Sequence, residues 1–222
     1  VARRALRAAL TGVAAACAAV ALVGAGSSAA STASPGTALL AGIPQQGTVL
    51  GRPGAPLTLL IYEDLGCPHC RDLMANAFPT IVREFVRPGR VKVDFRGLGV
   101  VTPASGPALL YALAAGRQNR LWHVAELFYE NQDRLDRLVN DAAVRRLTRD
   151  VRGLDGKRLV RDAKSVPVRR QANAVLAEAQ RRGVPGTPWL FVQRRGEQPV
   201  PVQVAAFTPE VFRAMLKAAL RR

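Results

Sequence analysis

The sequence predicts an α/β fold in which a small mixed sheet, flanked by helices, is interrupted by a block of helices. Three observations carry this. A run of strand formers, Leu57-Thr58-Leu59-Leu60-Ile61-Tyr62, is followed by a helical pattern and then by Val91 to Phe95, which alternates apolar and polar side chains. The long stretch from about Pro103 to Arg182 contains helical periodicity and no good strand. Beyond it, Trp189 to Val192 and Val200 to Val204 read as a strand pair joined through the turn Arg194-Arg195-Gly196, before a last helix.

Taken in order, Val1 to about Ala30 reads as an export segment. Arg3, Arg4 and Arg7 precede an uncharged Ala/Val/Leu run from Ala8 to Ala25, and small residues follow, the order of a signal peptide or an uncleaved anchor. Basic residues before the run place the rest of the chain outside the cytoplasm. Cys17 lies inside that run and reads as a small apolar residue. From Gly26 to about Gly36 the Ser/Ala/Thr composition predicts a flexible linker. Residues 1–44 are thus expected to be leader plus linker, and residues 45–222 the folded domain.

Within the domain, the turn-rich Gly51 to Pro56 precedes the first buried strand. Leu73, Met74, Ala77, Phe78, Ile81, Val82 and Phe85 recur at helical spacing as far as Pro88-Gly89, with Pro79 as a kink. The helical block, about 103–182, contains patterns over Pro107–Ala115, Asn119–Asn131, Asp141–Val151 and Pro167–Arg182, the last closed by Gly183. Thr208-Pro209-Glu210 supplies an N-cap and a first-turn proline for the final helix.

Hydrophobic residues make up 49% of the 222, enough for a core without disulfide staples. The net charge of +16 raises nucleic acid or an anionic membrane surface as a partner. Arginine outnumbers lysine 28 to 4, however, and the charges are scattered over amphipathic stretches without a nucleic-acid motif or a row of aromatics. They read as a solvated surface.

The chemistry is concentrated in Cys67-Pro68-His69-Cys70, which holds two of the three cysteines and opens the first helix. A Cys-X-X-Cys there brings two sulfurs within bonding range and leaves the first facing unpaired N–H groups at the positive helix end. Both effects favour the Cys67 thiolate, the species that attacks a disulfide and leaves when attacked. His69 adds a donor or positive charge to the same sulfur. Cys70, one turn in, is expected to be the covered, resolving thiol and Cys67 the exposed one. A purely structural disulfide closing so short a loop would stabilise little. A zinc site needs about four ligands, and only His69 and His123 are available beside the pair. No cofactor or metal is expected.

At this point the sequence resembles the DsbA-like thiol:disulfide oxidoreductases, the exported branch with Cys-Pro-X-Cys active sites. The likeness extends from about Thr48 to Val192 in separated blocks. Val49-Leu50-Gly51 through Thr58, with Asp64 before Cys67, resembles the family's opening strand. Leu121-Trp122 with Glu126 to Gln132 resembles its aromatic helix, and Ala179 to Pro188 its cis-proline loop. The resemblance implies a thioredoxin fold with an inserted helical subdomain. Catalytic Cys67, Cys70 and His69 are implied, with Pro68, Thr187 and Pro188 against the substrate and a cis Pro188 peptide. It also implies exported polypeptide substrates, a membrane redox partner for reoxidation and an extracytoplasmic location, in the periplasm or cell envelope, secreted or tethered.

Departures stand beside these. Gly66 precedes the motif where many thioredoxin-type reductases carry tryptophan, and Ile61 replaces a buried acid of several relatives. Proton transfer at Cys70 is therefore left to Glu63, Asp64 or water. Trp122 and His123 read as core and surface of the inserted helix. The expected activity is oxidation of substrate thiols. A reductase or isomerase on the same fold and a non-catalytic, chaperone-like module are the alternatives.

Overall fold

The computed structural model describes residues 34–221, so the export segment, Cys17 and the first part of the expected linker lie outside it. A helix α1 (Pro35–Leu39) leads into the short strands β1 (Gln45–Gln46) and β2 (Val49–Leu50), then β3 (Leu57–Glu63), α2 (Pro68–Asn76), α3 (Phe78–Ile81) and β4 (Val91–Gly97). Six helices follow: α4 (Ser105–Gly116), α5 (Leu121–Glu130), α6 (Leu135–Leu138), α7 (Asp141–Leu147), α8 (Gly156–Ala163) and α9 (Val166–Arg181). Strands β5 (Trp189–Arg194) and β6 (Val200–Val202) and helix α10 (Pro209–Arg221) close the domain. The sheet order is β1-β2-β4-β3-β5-β6. β3 and β4 run parallel, and β5 pairs antiparallel with β3 on its other side. This is the thioredoxin fold, with the helical insertion between β4 and β5.

β3 is the central strand that positions the cysteine motif. Its alternation divides the core: Leu57, Leu59 and Ile61 enter the main core, while Leu60 and Tyr62 meet Leu98, Val175, Ala179 and Phe191 on the opposite face. Burial on both faces explains why the strand reads as a nearly continuous apolar run. Trp122 is fully buried, stacked on Phe78 with ring centroids 5.2 Å apart, and its indole N–H donates to the Thr48 carbonyl at 2.9 Å. His123 is half-buried; burial, with Arg120 nearby, lowers its pKa to about 4, so its neutral Nδ1 accepts from the Gln45 amide at 2.8 Å.

The structure departs from the sequence reading in three places. Residues from Ser34 onward, expected as linker, form α1, capped by the Ser34 hydroxyl, and Leu40 and Ile43 are buried in the core. Two apolar side chains behind a Ser-Pro cap suffice to anchor this segment. The helix after the motif breaks at Ala77, ahead of Pro79, and ends in a π-helical turn at Val82–Val86. Helix α8 was hidden by the glycines at 153 and 156; Asp155 caps it, accepting from the Lys157 and Arg158 N–H groups.

Candidate active site

β3 ends at Glu63, and the chain turns through Asp64-Leu65-Gly66 into α2, with the Cys67 N–H donating to the Asp64 carbonyl at 3.0 Å. Gly66 is required here because a Cβ would lie 2.5 Å from the Ser105 and Thr102 hydroxyl oxygens. A tryptophan at this position is sterically excluded. Cys67 occupies the N-cap of α2 with extended backbone and Pro68 follows at the first helical position. Both thiols are free.

The structure brings Cys67 against the proline loop. Its Sγ donates to the Thr187 carbonyl at 3.3 Å, and the Thr187–Pro188 peptide is cis. Cys67 is only 4% exposed and Cys70 1%, so the first sulfur is more covered than expected. The cover is the main chain of Thr187, 120 residues away. The Cys67 pKa falls to about 5. A hydrogen bond from the Cys70 thiol is the largest cause; burial opposes it, and the Thr187 side chain and the N–H groups of Cys70 and His69 reinforce it. The Thr187 hydroxyl is buried and has no hydrogen-bond partner among the described residues. Burial pushes the Cys70 thiol far above the ordinary range, with the Cys67 bond and Glu63 adding to the rise.

His69 is placed differently from the expectation. Its side chain is 75% exposed, with Nδ1 3.9 Å from the Asp72 carboxylate, and its backbone N–H is the group that supports the Cys67 thiolate. The ring at this helix position projects outward while the N–H groups of the first turn converge on the cap residue.

Two carboxylates sit beneath the motif. Asp64 accepts from the Gly66 N–H at 2.8 Å, from the Val100 and Val101 N–H groups at 2.6 and 3.0 Å, and from the Ser105 hydroxyl. Glu63 is fully buried; Tyr129 donates to its Oε2 at 2.8 Å, while Oε1 has no partner among the described residues. Burial raises its pKa to about 8 despite that hydrogen bond. The Asp64 N–H lies 3.4 Å from the Cys70 sulfur, which places that sulfur one residue from Glu63.

Gln132 was not assigned a role by sequence reasoning. Its amide donates to the carbonyls of Leu65 and Cys67 at 2.9 and 3.0 Å, and the neighbouring Asp133 pairs with Arg71 at 2.6 Å. The turn after α5 thereby ties the insertion to the start of α2. Only its place at the end of the block that resembles the family's aromatic helix could have pointed to it.

The thioredoxin family model matches residues 44–214. A curated relative, the probable disulfide bond formation protein D of Bacillus cereus, is 22% identical over 147 residues, covering 64% of this chain and 68% of that protein. The crystal structure of Wolbachia pipientis alpha-DsbA1 superposes with a TM-score of 0.66 at 16% identity, covering 78% of this chain and 90% of that one. Oxidised BdbD from Bacillus subtilis gives 0.60 at 18% identity, covering 81% and 98%. At these identities the structural likeness carries the fold.

Proposed function

The chain belongs to the thioredoxin family, and on that premise we propose that it is a thiol:disulfide oxidoreductase that introduces disulfides into cysteine-bearing polypeptides outside the cytoplasm. The observation that carries the reading is the asymmetry of one pair: Cys67 caps α2 against the Thr187 carbonyl beside cis Pro188, where its pKa is lowered, while Cys70 is covered inside the helix, where burial raises its pKa. A stabilised thiolate stabilises the reduced pair, and so makes its disulfide a stronger oxidant. The names of the relatives, which are disulfide bond formation proteins, point the same way.

In the proposed cycle a substrate thiolate attacks Cys67 of the oxidised pair. The Cys67–Cys70 bond breaks, a mixed disulfide forms on Cys67, and Cys70 departs as a thiolate that takes up a proton. The substrate's second thiolate then attacks its own sulfur in the mixed disulfide, releasing oxidised substrate and the Cys67 thiolate. Thr187 offers main-chain groups to an extended substrate, with Pro68 and cis Pro188 framing the sulfur. Asp64 has its acceptors filled, so Glu63, with a free oxygen and a pKa near 8, is the group suited to exchange a proton with Cys70. A membrane redox partner would reoxidise the pair. The leader ahead of the folded domain would export the chain or tether it; no helix among the described residues is long and apolar enough to cross a membrane.

The test is disulfide formation in a reduced, cysteine-containing polypeptide. Cys67→Ser is expected to abolish it. Unchanged oxidation by that variant would overturn the reading, and a redox potential near that of about −270 mV typical of thioredoxin would instead make the protein a reductase.

A further inference from the structure

Beside the face of α5 that carries Tyr129 lies an open cavity of about 560 Å³. Arg71, Met74, Arg83, Glu126, Tyr129 and Glu130 contribute to its wall. Glu126 is 6% exposed, and its Oε1 is buried without a hydrogen-bond partner among the described residues. It precedes Tyr129 by three residues, so the two side chains share one face of the helix. Tyr129 in turn reaches inward to Glu63, whose second oxygen is also unpartnered. Two carboxyls with one orphaned oxygen each thus neighbour Tyr129: Glu63 accepts from its hydroxyl, and Glu126 lines with it a cleft roomy enough for water and open to solvent.

We propose that Glu126 and Tyr129 form the proton route between Glu63 and the cavity, serving the protonation and deprotonation of Cys70. The proposal rests on the exchange chemistry proposed above. When the substrate thiolate opens the Cys67–Cys70 bond, the Cys70 thiolate takes the proton of the Glu63 carboxyl, leaving a carboxylate. That carboxylate takes the Tyr129 hydroxyl proton as Tyr129 receives one from the Glu126 carboxyl through a cavity water, and Glu126 is reloaded from water in the cavity. The electrons move only in the thiol–disulfide exchange itself, and reoxidation of the pair runs the route outward.

The charged surroundings suit this role. Glu130 and Glu63 are the carboxyls nearest Glu126; Arg71 is paired with Asp133, and Arg83 stands at the cavity wall. Burial, more than either neighbour, raises the Glu126 pKa to about 8, and burial likewise raises that of Glu63. Glu130 is engaged by the Gly36 N–H at 2.8 Å.

The test is the rate at which the oxidised protein is reduced by a cysteine-containing peptide, followed from pH 5 to 9 in water and in deuterium oxide beside the equilibrium redox potential. Glu126→Gln matches the neutral carboxyl in shape and charge but cannot relay a proton. It is expected to slow reduction about tenfold below pH 8, a modest share of what a general acid contributes. The solvent isotope effect should rise and the potential should stay unchanged. Tyr129→Phe, which keeps the ring packing, should slow the same step if Glu126→Gln fails to fold. Wild-type rates and pH profile in either folded variant would overturn the route. Absence of exchange in the wild-type protein would instead overturn the function on which the route depends.

Discussion

Glu63 and Asp64 are consecutive, are 0% and 1% exposed, and have opposite surroundings. Asp64 points toward the segment after β4, where the Val100 and Val101 N–H groups and the Ser105 hydroxyl meet it, and it also accepts from the Gly66 N–H of its own turn. Glu63 points to the other side, into the core beside α5, and meets one donor. Neighbouring positions at a strand end face opposite sides of the sheet, so one residue step separates a polar clamp from an apolar wall. The first holds the motif in place, and the second leaves a carboxyl with a proton to exchange.

That contrast is broken or sharpened most directly by pH. The Glu63 pKa is raised from 4.5 to about 8, chiefly by burial. The folded protein therefore holds a proton that the unfolded chain has lost between those values, and stability falls as pH rises through this window, then levels off. The full swing is on the order of 5 kcal/mol. Urea unfolding of the wild type and Glu63→Gln at several pH values should show the difference between them growing by that order from pH 4.5 to 8. Glu126 is present in both, so the part of its raised pKa that comes from burial and Glu130 cancels from the difference, and only the smaller part that Glu63 contributes does not. Parallel profiles would mean that Glu63 is not buried without compensation.

Asp64→Ala probes the other carboxylate. It removes the acceptor shared by the N–H groups of Gly66, Val100 and Val101, and by the Ser105 hydroxyl. A loss of about 3 kcal/mol is expected, since charge-assisted bonds to two buried and two half-buried donors disappear together. Asp64→Asn should recover part of it, because one amide oxygen can still accept. Thermal or urea unfolding at pH 7 reads both variants. A loss below about 0.5 kcal/mol, the range of unremarkable surface changes, would remove the clamp from the comparison.

The same contrast explains what the sequence could convey. Local information was enough for β3, for the helix opening at Pro68 and for the strand pair Trp189–Arg194 and Val200–Val202, because periodicity and turn residues are written within a few positions. The cis peptide at Pro188 followed from family resemblance; an isolated X-Pro bond would favour trans. Glu63 appeared in sequence only as one of several proton carriers. Its distinction from Asp64 depends on Tyr129, 66 residues on, and on Val100, Val101 and Ser105, 36 to 41 residues from Asp64. The cover over Cys67 comes from Thr187, and the ties to its carbonyl from Gln132. No local pattern records contacts of that range. Helix α1 shows the reverse error: a linker-like composition gave no sign that Leu40 and Ile43 would be buried.

His69 supplies the smallest expected effect, and it separates groups that act from inside the site from those that only stand near it. Cys67 should react with an alkylating agent along a titration curve centred near pH 5, because the Cys70 thiol, the Thr187 side chain and first-turn N–H groups support its thiolate. The His69 ring, 75% exposed and facing Asp72, acts through solvent. Two exposed charges at contact range in water interact by about 1 kcal/mol, which is under about one pH unit. His69→Ala keeps the backbone N–H, so the alkylation midpoint is expected to move upward by less than that. A displacement of about two units or more would exceed what a solvent-screened charge can supply. It would show that the ring folds over the sulfur in the reduced protein, joining the groups that hold the thiolate from within.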